Sequence, residues 1–95
     1  MMQVNINNYK YKFNTKEIDE LISELMKMGN KDKMRDFLLG ILTPKELLEI
    51  PKRLAIVKML KKGIQHHEIS EKLHVGVATV TRGSREIQRG RFKHV

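Results

Sequence analysis

Apolar residues recur along this chain at the spacing of helices. Ile18, Leu21, Ile22, Leu25 and Met26 fall at i, i+3, i+4, i+7 and i+8, one full face of a helix. Asn14 with Glu17 three positions on marks its start, and Gly29 its end. A second helix, about Lys31–Ile41, carries Met34, Phe37, Leu38 and Ile41 on one side, with Leu39 and Leu42 widening the stripe. That surface is broader than one neighbouring helix covers, which places it in a subunit interface or at the centre of the domain. Thr43-Pro44-Lys45-Glu46 is a capping box with Pro at the first helical position. The helix it opens meets Pro51, so a break or kink is expected near Ile50. The pattern resumes through Leu54, Val57 and Leu60, with Ile56 flanking, until Gly63.

The stretch that organises the rest is 65–87. It reads as two short amphipathic helices around a turn at His74-Val75-Gly76, with Ile69, Leu73, Val75 and Val80 spaced to share one small core. This is the pattern of a helix-turn-helix. The second helix, Val77–Gln88, begins with Val77, Ala78, Thr79 and Thr81 before reaching Arg82 and Arg85. Short side chains at a helix N-terminus let its backbone approach base edges, while Thr hydroxyls and Arg forks read or clamp them. Ser70 is small where a bulky residue would push the two helices apart. Helical hairpins with Gly in the turn also serve purely structural ends. His74 stands where a residue of positive φ is needed, a conformation His tolerates better than most.

Residues 3–13 alternate weakly, with Val4, Ile6, Tyr9, Tyr11 and Phe13 among Asn and Lys, and read as an extended arm or a short strand. An isolated strand is unstable, so this arm needs a partner chain or remains an ordered arm. At the other end, 89–95 form a basic tail with one aromatic, Phe92, suited to framing a DNA backbone or to remaining a disordered end.

Composition sharpens the picture. Ninety-five residues make one domain with a modest core: arm 1–13, helical dimerisation core 14–62, helix-turn-helix 65–88 and tail 89–95. A dimer would supply the missing core. Residues 43–95 hold 12 basic and 5 acidic side chains, net +7, against 7 and 6, net +1, for 1–42. The basic excess thus travels with the helix-turn-helix, as expected for a double-stranded DNA partner. With no Cys there are no disulfides or thiolate ligands, and no apolar run has the length of a membrane span or the form of a signal peptide. A soluble, cytoplasmic protein is expected. His67, Glu71 and His74 share i, i+4, i+7 spacing, but His74 lies in the turn and no fourth ligand is evident, so neither a metal site nor a catalytic centre is expected. An interaction module using the apolar helices of 18–42 is the alternative to nucleic-acid binding. RNA is disfavoured, because no aromatic stacking platform accompanies the basic residues.

Residues 42–87 resemble the tryptophan repressor family. The most specific piece is the run Val77-Ala78-Thr79-Val80-Thr81-Arg82-Gly83-Ser84, supported by Leu42-Thr43-Pro44 upstream. The resemblance implies an all-α fold, an intertwined helical homodimer that binds a palindromic operator when an amino-acid corepressor positions each reading head. Arginines at the places of Arg53 and Arg82 sandwich the corepressor's indole in that family, and a threonine matching Thr43 helps to hold it. Gly83 and Glu86 complete the implied corepressor-binding set. Stacked guanidinium planes and an Arg–carboxylate pair make physical sense of such a site. L-Tryptophan is the first choice of corepressor, with another aromatic amino acid or no ligand at all as the alternatives.

The implied DNA contacts are Val77, Ala78, Thr79 and Thr81, together with Arg85. His67 and Ser70 stand where the repressor has longer cationic side chains, so operator sequence and salt dependence are expected to differ. Glu86 replaces a serine that helps bind the corepressor's amino group, and its carboxylate could pair with that ammonium or obstruct the pocket. The repressor also has a further helix beyond the position of Val95 that contributes to its dimer, a contact the N-terminal arm is expected to replace.

Overall fold

The computed structural model describes residues 12–95, and among them every regular element is a helix. The order is α1 (Thr15–Lys27), α2 (Lys31–Ile41), α3 (Pro44–Lys61), α4 (His66–Leu73) and α5 (Val77–Gln88). The arm expected over 3–13 lies outside the described residues except for Lys12 and Phe13, which are not helical. The chain divides into two compact units, Met1–Ile41 and Leu42–Val95.

In the first unit the local signals act as the sequence suggests. Asn14 caps α1, its side chain accepting from the Glu17 amide at 3.1 Å. Gly29 takes φ +73°, the left-handed turn that ends the helix without a Cβ penalty. Asn30 then caps α2 by accepting from the Lys33 amide at 2.9 Å, a cap the apolar periodicity did not mark. Yet neither α1 nor α2 contains a buried residue. Met26 is 81% exposed and Leu39 58%.

The second unit has a true core. Thr43 closes a reciprocal capping box, its Oγ1 accepting from the Glu46 amide at 3.2 Å while its own amide donates to Glu46 Oε1 at 2.9 Å. From there α3 runs unbroken through Pro51, so of the break or kink expected near Ile50 the break is absent. Proline forfeits one backbone bond, and because Pro51 is exposed, water can reach the carbonyl it leaves behind. The helix packs against both α4 and α5. Ile56, Ile69 and Val80, one from each helix, are fully buried together, and Met59, Leu60, Ile64, Leu73 and Val75 close around them. Val57 is also buried on α3. Gly83 lets α5 approach α3 closely: a Cβ there would stand 3.1 Å from Ile56 Cγ2.

Candidate ligand cleft and nucleic-acid interface

The reading head is α4, the turn and α5. Its angle is set by the turn, where His74 adopts the left-handed conformation (φ 54°, ψ 48°) that the spacing demanded of it. Ser70 Oγ donates to the Val75 carbonyl at 2.6 Å, and the Val75 amide donates back to the Ser70 carbonyl at 3.2 Å. Ser70 is half-buried, so its hydroxyl closes the turn rather than facing outward. Gly76 is the N-cap of α5 and offers no side-chain cap, and the first turn holds no acidic residue. A helix start of this kind leaves amide donors and a positive dipole end for an anion.

Val77, Ala78 and Thr79 are exposed along that first turn, and Arg82 and Arg85 are exposed further on, whereas Thr81 is half-buried. Val77 at 50% exposure is an apolar contact left open to solvent. On α4, His67 Nε2 lies 3.0 Å from Glu71 Oε1 on an open surface. Among the described residues no group of three or more His, Asp or Glu is gathered in a way that could hold a metal ion. None of their helices is long and apolar enough to cross a membrane.

Behind the N-terminal half of α5 lies a cleft of about 570 Å³. It is walled by Glu49, Lys52 and Arg53 of α3, by the turn His74–Gly76, and by Ala78, Thr79, Arg82, Gly83 and Glu86 of α5. Ile56 and Val57 line it as well, and Phe92 of the tail forms part of its edge. The volume lies in the range of small-molecule sites, and apolar walls with few converging polar groups are their usual composition. Four of the five residues expected to hold a corepressor, Arg53, Arg82, Gly83 and Glu86, therefore meet in one place. Thr43 does not line it. It lies ten residues before Arg53 on α3, roughly 15 Å along the helix axis, with its side chain committed to the cap.

The cleft's charges are unequally engaged. Arg53 Nη2 is 3.6 Å from Glu49 Oε2, and Glu86 Oε1 is 2.7 Å from Arg89 Nη1 with its side chain only 20% exposed. Glu86 is thus satisfied internally. Lys52 and Arg82 make no ion pair among the described residues, leaving two cations for an anionic group. Glu46 is held below its ordinary pKa, first by the hydrogen bond from the Thr43 backbone amide, then by the Thr43 hydroxyl, with the Arg53 charge a smaller contribution.

Sequence reasoning missed Phe92, His74, Lys52 and Glu49 as cleft residues. Glu49 had a local signal, four positions before Arg53 on one helix face. Phe92 had none, because the tail's path is tertiary. A Schellman arrangement at Gly90 (φ +92°), with the Arg91 amide on the Glu86 carbonyl at 2.9 Å and the Gly90 amide on Ile87 at 3.0 Å, turns the tail off α5. Lys61 Nζ then donates to the carbonyls of Phe92 and Val95. Lys61 is thereby engaged by the tail. Lys58 and Lys62 beside it stay exposed.

Comparison with known proteins agrees with this architecture. The family model described as Trp repressor protein matches residues 16–94. A Trp operon repressor homolog of Vibrio vulnificus (strain YJ016) is 42% identical over 69 residues, covering 70% of this chain and 68% of the relative. That of Vibrio campbellii (strain ATCC BAA-1116) is 38% identical over 69 residues, 70% of this chain and 69% of the relative. The uncharacterized protein YerC of Bacillus subtilis (strain 168) is 25% identical over 79 residues, 83% of this chain and 76% of its own. No solved structure matches the chain significantly. A family match across most of the chain, containing both the cleft arginines and the helix-turn-helix, means that the chain belongs to the Trp repressor family.

Proposed function

We propose that this protein is a transcriptional repressor that inserts α5 into the major groove of an operator and is gated by an aromatic amino acid, tryptophan first, bound in the cleft. The observation that carries the reading is that Arg53 and Arg82, from different helices, border one cleft whose other wall includes Ala78 and Thr79, the first turn of the reading helix. A ligand there touches α3 and α5 together, so occupancy braces the reading head at one angle. An empty cleft lets α5 lean, and a lean of a few degrees moves its tip out of register with base edges. The ligand ring stacks between guanidinium planes, and its carboxylate meets the cations that lack a partner.

On the DNA side, Val77, Ala78, Thr79 and Thr81 supply the short side chains and methyls that reach bases, and Arg85 clamps phosphate. His67 extends toward the same surface. Ser70 serves it by holding the turn. The exposed apolar residues of α1 and α2 support a homodimer, in which a second copy covers Leu21, Ile22, Met26, Leu39 and Ile41. In such a dimer Thr43 reaches a ligand from the partner copy, since it does not line the cleft of its own chain.

Selection from random duplex DNA with and without L-tryptophan, followed by gel shift, tests the reading. Enrichment of a palindrome only with tryptophan is expected. Enrichment regardless of tryptophan would leave a ligand-independent regulator of the same family, for which the internal Glu86–Arg89 pair is the favouring observation. No enrichment under either condition would point to an interaction module.

A further inference from the structure

The tail is built as part of the cleft. Phe92 has φ +62°, in the left-handed region that a bulky side chain seldom adopts. Three devices hold it there: the Schellman arrangement at Gly90, the Lys61 hydrogen bond to its own carbonyl, and the Lys61 bond to the Val95 carbonyl at 2.8 Å. Strained backbone that its surroundings hold in place marks a side chain that is being aimed. Phe92 stands at the cleft edge, where it is 37% exposed and lies outside the buried core.

We propose that Phe92 is a ligand-contacting, specificity-determining residue: the tail supplies an aromatic wall that meets the edge of an aromatic carboxylate's ring whose faces lie against Arg53 and Arg82. The inference rests on the reading of the cleft as the ligand site. A plug formed by the tail is excluded by size, because about 570 Å³ stays open with Phe92 already in the wall. The ligand's charged end follows from the pairing of the walls. Glu86 is held by Arg89 at 2.7 Å, while Lys52 and Arg82 have no ion-pair partner among the described residues, so the cleft selects a carboxylate more strongly than an ammonium.

The chain contains no Trp, so the fluorescence of added L-tryptophan reports its own binding to the full-length protein without background from that residue. Titrations of wild type, Phe92→Ala, Phe92→Tyr and Arg82→Ala, with L-leucine and L-phenylalanine as competitors, separate the possibilities. Phe92→Ala is expected to weaken tryptophan binding about ten-fold and to erase the preference for phenylalanine over leucine, while Phe92→Tyr stays within roughly two-fold of wild type. Unchanged melting curves for both variants show that the fold is intact. If Phe92→Ala binds as tightly as wild type, or more tightly, while Arg82→Ala loses binding, the cleft stands and the aromatic wall is wrong. If wild type does not bind tryptophan, or Arg82→Ala binds normally, the cleft reading falls and takes this inference with it.

Discussion

The two units of the chain use the same amphipathic grammar to opposite ends. In Leu42–Val95, three helices bring Ile56, Ile69 and Val80 into full burial, a core formed within one chain. In Met1–Ile41, α1 and α2 are as well capped and as clearly two-faced, yet no residue in either is buried. Capping and periodicity therefore specify that a helix forms and which face is apolar. They leave open whose surface covers that face. The second unit holds a site on an internally packed scaffold, whereas the first presents apolar faces of which no residue is buried.

The sharpest way to break this contrast is to damage each unit separately. Ile69→Ala removes a side chain with 0% exposure at the junction of α4 with its neighbours, and should cost about 3 kcal/mol in urea unfolding. A loss below about 1 kcal/mol would mean that the three-helix core is not the stable unit. Leu39→Asp, by contrast, puts a charge on an exposed position of α2 and should leave the α3–α5 unit folded. Its effect should appear in sedimentation, as a dissociation constant of the proposed homodimer raised roughly thirty-fold, equivalent to about 2 kcal/mol. An unchanged assembly would remove α2 from the interface.

A smaller effect tests the cap at the start of α3. Thr43→Ala should destabilise by about 1 kcal/mol through loss of the N-cap. It should also weaken a pH dependence without removing it, because the backbone amide at position 43, the larger cause of the lowered Glu46 pKa, is kept. Because the folded pKa of Glu46 lies below its ordinary value of 4.5, its contribution is present in full above that value and disappears as pH falls through the lower folded one. Both should lose stability on acidification, the wild type by the larger increment. Equal acid profiles for the two would show that the Thr43 hydroxyl contributes nothing to the lowered Glu46 pKa.

Much of the fold was legible because it is written in local signals. The caps at Asn14 and Thr43, the terminator at Gly29 and the left-handed His74 are each set by one turn of chain. Pro51 misled because the rule for proline concerns a single lost bond, while a helix anchored by Ile56 and Val57 against two neighbours tolerates that loss on its exposed side. Within the site, Arg53 and Arg82 were legible through family resemblance and meet at one cleft. Ser70, Lys61 and Phe92 were not, since what each side chain does depends on where a distant carbonyl or cleft lies. Gly83 was expected as a ligand-facing position. It lines the cleft, and its missing side chain also lets α5 close on Ile56.

The central claim is that the cleft and the reading helix are coupled, and coupling between two binding sites is reciprocal. The most direct measurement is therefore the affinity of L-tryptophan, read from its own fluorescence, with the protein free and with the protein saturated by its selected duplex. If tryptophan braces α5, DNA should tighten tryptophan binding by the same factor by which tryptophan tightens DNA binding, about five-fold or more. Equal tryptophan affinities with and without DNA would contradict the account, because the cleft and the reading head would then be independent.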